Sequence, residues 1–217
     1  MENNQPQAPE QGAQEAQDII TRAKANSKLI LGLSIFILVV IAAILIWFFV
    51  AKSGSAKADE AIGRADVAQN DSVALVLYKE AATHGYKSGN RAKMEVAIRL
   101  YQEGNYEEAL SYLKDTSADD HIAAAGVYTL MGDCYVNLKQ YPEALKAYDK
   151  AVSKADKNPS IVPIVLIKEA NVYRAEKNYE GEYNALKTIV DEYPQFIQQS
   201  QTDIRKYYER AKAAAGK

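Results

Sequence analysis

The run from Leu29 to Ala51, LILGLSIFILVVIAAILIWFFVA, has 23 residues without a charge and is bracketed by Lys28 and Lys52. As a helix it would extend roughly 34 Å, enough to cross a hydrocarbon layer of about 30 Å. A soluble core helix keeps one side polar, and this stretch has no polar side. It is read as a transmembrane helix, with Trp47, Phe48 and Phe49 at the end where aromatic rings favour the headgroup level. A cleaved signal peptide is the rival reading, since Ser55 to Ala58 reads SAKA. Signal segments have much shorter apolar cores and lack so long a preceding tail, which favours an uncleaved anchor.

The anchor divides the chain into residues 1–28, 29–51 and 52–217. The first piece is Gln-rich, lacks aromatic residues and cannot bury enough surface to fold, so a largely disordered tail is expected there. Arg22, Lys24 and Lys28 before the anchor balance Lys52, Lys57 and Arg64 after it. The positive-inside count therefore ties, and charge does not choose the side on which residues 52–217 lie. Over the whole chain, 26 Lys and Arg are interspersed among 28 Asp and Glu, for a net charge of -2. That balance offers no basic face to a nucleic acid.

Beyond Lys52 the sequence reads as pairs of helices. In the stretch Gly132 to Ala151, GDCYVNLKQYPEALKAYDKA, the residues Ala144, Tyr148 and Ala151 fall on one helix face. A unit of 34 residues with Gly132 at its eighth place puts large Tyr128, Met131, Tyr135 and Tyr148 around small Gly132, Ala144 and Ala151. Small residues let two helices approach closely while large ones fill the wedge beside them. Upstream, Ala97, Leu100, Gly104, Tyr106, Ala109 and Leu113 repeat the pattern. Further upstream Ala74, Tyr78 and Ala81 repeat its second helix, with a first helix expected over residues 58–69. Downstream, Ala170, Tyr173, Tyr179 and Leu186 fit, and Pro194 falls where the second helix should stop. Glu182 departs from the pattern, standing where a small residue belongs, beside Gly181.

These four phased units resemble the tetratricopeptide-repeat family over residues 58–194, and an amphipathic helix over residues 202–215 resembles the family's solvating cap. The resemblance implies an all-α fold: an N-terminal transmembrane helix, then an α-solenoid of about four helix pairs, then a C-terminal capping helix. The Tyr and Ala stripes are core residues in such a fold. The family also implies a concave groove lined by the first helix of each pair, where an extended or helical peptide can lie. Its positions in this sequence include Arg91, Met94, Ile98 and Tyr101 in the second unit, Thr129, Asp133 and Asn137 in the third, and Ile167, Asn171 and Arg174 in the fourth. The Lys/Asn/Arg clamp by which some members grip acidic chaperone tails is not present.

No chemistry is legible beside this. His84 and His121 have no second ligand at metal spacing, and Gly85, Gly89 and Gly104 read as inter-helix turns rather than a phosphate loop. Cys134 is single, excluding an intrachain disulfide, and is expected to be at least partly buried. The expectation is a non-enzymatic protein without cofactor, metal or small-molecule substrate, acting through protein partners or client polypeptides.

The order of polar tail, single anchor and repeats is similar to that of the YfgM-like bacterial ancillary translocon subunits. That resemblance implies a single-pass protein of the bacterial inner (cytoplasmic) membrane, with the repeats in the periplasm and the Sec translocon as partner. Its role would be a helper of protein translocation or envelope protein assembly. The alternative is a structural adaptor that recruits a fixed partner to the cytosolic face of a membrane.

Overall fold

The computed structural model describes residues 17, 20, 21, 27–84, 86–118, 120–200 and 203–217. The tail expected over residues 1–28 falls almost wholly outside them, as does Thr202 at the expected start of the cap. Among the described residues there is no strand, and ten helices follow one another: α1 (Ser27–Asp66), α2 (Asp71–Ala82), α3 (Tyr86–Gln102), α4 (Tyr106–Lys114), α5 (His121–Asn137), α6 (Tyr141–Lys154), α7 (Val162–Ala175), α8 (Tyr179–Glu192), α9 (Pro194–Gln199) and α10 (Ile204–Ala214). The chain divides into two compact units, residues 1–52 and 53–217.

In the first unit, α1 exposes large apolar side chains from Leu31 to Val50, and the helix is long and apolar enough to cross a membrane. It does not end at the last apolar residue. The sequence KSGSAKADEAIGRAD holds Gly54 and Gly63 but no proline, and it continues as helix to Asp66. The first helix expected over residues 58–69 is thus the end of α1, not a separate element. Its Ala58, Ala61, Ile62 and Ala65 are buried at the 3–4-residue spacing of one helix face, in a core shared with Ala74, Tyr78, Leu100 and Leu113.

The second unit is a tetratricopeptide-like solenoid. Helix α3 packs on α4, α5 on α6, α7 on α8, and α10 closes the array against α8. The turns inside the three later pairs are copies of one another. Gly104, Lys139 and Lys177 adopt φ of +82°, +58° and +59°, each two residues past a helix end. In each, the next amide donates back into the helix at 2.8 Å: Asn105 to the Leu100 carbonyl, Gln140 to Tyr135, and Asn178 to Tyr173. This is the Schellman arrangement, which satisfies carbonyls that the ending helix leaves free. Asn70, Asp120, Asn178 and Asp203 cap the starts of α2, α5, α8 and α10 with their side chains.

The close approach inferred at Gly132 is present. A Cβ on Gly132 would lie 2.2 Å from a ring carbon of Tyr148, so the ring lies where that side chain would be. In the fourth pair the same part is played by Gly181, whose Cβ would lie 2.6 Å from the Tyr173 ring. Glu182 is buried all the same and binds Arg210 of α10 at 2.5 Å. Gly89 corrects the sequence reading: it is not in a turn but in the first turn of α3, where a Cβ would collide with the His84 carbonyl oxygen at 1.7 Å. Gly104 is the turn glycine expected; Gly85 lies outside the described residues. Pro194 does end the run of α8, and it also opens the short helix α9.

Candidate protein-binding groove

Helices α3, α5 and α7 are the first members of their pairs, and a row of three clefts runs along them. The widest, ≈ 480 Å³, lies between α3 and the start of α5 and has Arg91, Met94, Ala123, Gly126 and Val127 among its lining residues. Its size follows from local sequence. Helix α4 has 9 residues where α6 and α8 have 14, so Thr116, Ser117 and Ala118 cross as irregular chain along the cleft edge. Gly126 leaves further room, since a Cβ there would only touch the Met94 methyl at 4.0 Å. The second cleft, ≈ 260 Å³, lies between α5, α6 and α7 and is lined by Asp133, Tyr148, Lys168 and Asn171 among others. The third, ≈ 200 Å³, is formed by Ile167, Asn171 and Arg174 of α7 with Glu182 of α8 and Ile204, Tyr207 and Arg210 of α10.

Eight of the ten groove residues named from sequence fall into three groups, and Thr129 and Asp133 stand apart from them. Arg91 and Met94 border the first cleft; Arg91 reaches Asp66 at 3.5 Å, and Met94 packs partly on the core. Ile98 and Tyr101 continue along α3 half-buried, with Tyr101 edge-on to Tyr106 at 5.5 Å and its hydroxyl 3.4 Å from the Asn137 side-chain nitrogen. Asn137 also donates to the Asp133 carbonyl of its own helix, and its contact with Tyr101 ties α5 to α3 across the groove. Ile167, Asn171 and Arg174 border the third cleft, with Arg174 donating to Asn171 at 3.2 Å. Thr129 spends its hydroxyl on the Ala125 carbonyl of its own helix.

Asp133 is the node of the floor. It accepts from the Tyr148 hydroxyl at 2.6 Å and from Lys168 Nζ at 2.8 and 2.9 Å, joining α5, α6 and α7. Burial first, then the hydrogen bond to Asp133, drives the Tyr148 phenol far above its ordinary range, so it stays a donor. Lys168 was not among the residues read from sequence. Its signal was its place three residues before Asn171, on the face turned toward the preceding unit. Cys134, adjacent to Asp133, is fully buried, and burial pushes its thiol up to about 12. At that value it is an inert core residue rather than a nucleophile.

Among the described residues no cluster of His, Cys, Asp and Glu is arranged to hold a metal. What the faces offer is shape: half-buried apolar and aromatic side chains between charged ones, with the Lys168–Asp133 ion pair in the floor of the middle cleft.

Residues 100–162 match the tetratricopeptide-repeat family. Protein O-mannosyl-transferase TMTC2 of Mus musculus is 35% identical over 81 residues, which are 36% of this chain and 10% of that protein. The match thus spans about a tenth of the length of that relative. Among solved structures, a crystal structure of MamA protein aligns over 77% of this chain and 83% of its own, with 15% identity and a TM-score of 0.53. A second crystal structure of MamA aligns over 67% and 88%, at 15% identity and a TM-score of 0.48. The first of these likenesses is one of fold, and residues 100–162, which match the repeat family, lie within a tetratricopeptide-like solenoid.

Proposed function

We propose that the chain is a membrane-tethered scaffold that binds proteins along the row of clefts on α3, α5 and α7, and that it serves protein translocation or envelope assembly at the bacterial inner membrane. The observation that carries the binding reading is that Met94, Ile98 and Tyr101 of α3 and Ile167 of α7, on the first helices of their pairs, are apolar or aromatic yet left half-buried, with Met94 and Ile167 lining clefts. Repeat solenoids use such surfaces for extended or helical peptides. The apolar stretch of α1 supports the tether. The periplasmic placement and the Sec translocon as partner rest on the likeness in organisation to the YfgM-like subunits.

Photocrosslinkers placed at Met94 and Asn137 in cells should capture translocon subunits or exported chains, while one at the exposed Lys146 should not. Replacing Ile98 and Tyr101 with Asp should remove the capture and leave helicity intact, because anchors at an interface each contribute on the order of 2 kcal/mol or more. Equal capture from all three positions would refute the groove. A thiol reagent that cannot cross membranes should reach a cysteine introduced at Lys217 in intact cells and not one at Asn3. The reverse labelling would make the cytosolic adaptor the correct reading.

A further inference from the structure

A buried polar group without a partner loses its hydration and gains nothing in return. Glu169 is such a group. It precedes Ala170 as Met131 precedes Gly132, so a carboxyl stands where the repeat takes a large apolar residue. It is 6% exposed, and its Oε1 has no hydrogen-bond partner.

Among the described residues no cation forms an ion pair with it. Glu169 lies on the face of α7 between Val165 and Val172, which pack against Tyr148 and Ala151 of α6, and from α6 Asp149 adds its negative charge. On its own helix Tyr173 stands close enough to feel its field, while Lys168 is turned to Asp133 of α5. The buried carboxyl of α8, Glu182, is held by Arg210 of α10. A neutral carboxyl can occupy such a place. A carboxylate there would meet Asp149 with nothing to offset either desolvation or repulsion.

We propose that the contact between α6 and α7, which joins the third helix pair to the fourth, is a pH-sensitive joint, closed while Glu169 holds its proton and loosened when Glu169 ionises. Burial, and after it the charge of Asp149, pushes this carboxyl from 4.5 up to about 8. Below pH 4.5 the closed and opened forms both hold the proton, and pH has no effect. Between 4.5 and about 8 the closed form keeps a proton that the opened one releases, so each pH unit lowers the closed-to-open ratio by up to about tenfold. Above about 8 both forms are ionised and the loss stops. Lys168, one residue away, shares the floor of the cleft between α5 and α7, so loosening this joint alters the groove whatever occupies it.

The test is hydrogen exchange of the full chain in detergent micelles from pH 6 to 9, read as protection factors after dividing out intrinsic exchange. Peptides covering α6 and α7 should lose protection by about tenfold per pH unit up to pH 8, and those covering α3 and α4 should not. Glu169→Gln should remove the dependence. Asp149→Asn should shift it to lower pH, and this variant decides the matter if the Gln chain does not fold. The same slope in wild type and Glu169→Gln, an unmoved profile in Asp149→Asn, or equal loss in every peptide would overturn the proposal.

Discussion

Helix α5 contains two glycines six residues apart whose replacement by alanine should move stability in opposite directions. At Gly126 a Cβ meets only the Met94 methyl, at 4.0 Å, an ordinary contact. Alanine there should stabilise the chain by about 0.5–1 kcal/mol through helix propensity. At Gly132 the same propensity gain is outweighed. The new Cβ would stand 2.2 Å from a ring that is 2% exposed and is pinned by its hydroxyl to Asp133 at 2.6 Å. Overpacking costs about 1–3 kcal/mol, and weakening a hydrogen bond to a charged acceptor costs about 1 more. Less the propensity gain, Gly132→Ala should lose roughly 1–3 kcal/mol. Urea unfolding followed by circular dichroism reads both variants on one scale, and midpoints should move while slopes stay fixed. Wild-type or higher stability for Gly132→Ala would refute the close α5–α6 contact. An equal loss at Gly126 would show that the cost is not a matter of the Tyr148 ring.

Lys139 and Lys177 are exposed non-glycine residues in the left-handed region, so Lys139→Gly and Lys177→Gly should each stabilise by up to about 1 kcal/mol in the same urea assay, unless the turns are built otherwise. Arg210→Ala leaves the Glu182 carboxylate buried without its cation and should cost about 1–3 kcal/mol, with Arg210 itself half exposed. Adding Glu182→Ala should recover part of that loss, and additive losses would deny the pairing. Cys134 should resist a thiol reagent in the folded chain and react stoichiometrically in denaturant; fast labelling of the native protein would contradict its burial.

The repeat phase was legible because it is written in residue volume. Gly132, Ala144, Ala151 and Tyr148 are small and large at places where two helix axes nearly touch, and volume is a property of the residue alone. The groove residues could be placed for the same reason, by counting from Gly132. The end of α1 was not legible, since no breaker separates the apolar run from the first repeat and the helix simply continues. Gly89 looked like the turn glycines because the sequence does not show that the chain before α3 folds back onto its first turn. The polar contacts were hidden by distance along the chain. Glu182 read as a packing fault until Arg210, 28 residues on, was beside it, and Lys168 reaches Asp133 over 35 residues. Residue type shows that a charge is present; only the fold shows what answers it.

The closure of the fourth pair has a consequence for the order of events during synthesis. The core around Ile189 is completed by Ile204 and Ala211 from α10. While residues up to 199 have emerged and α10 has not, Leu186 and Ile189 belong to an unfinished face that can adhere to another nascent copy. The third pair waits in the same way for α7, whose Val165 and Val172 cover Tyr148 and Ala151. A pause in elongation between residues 199 and 211 would therefore leave the face around Ile189 uncovered and open to misassembly.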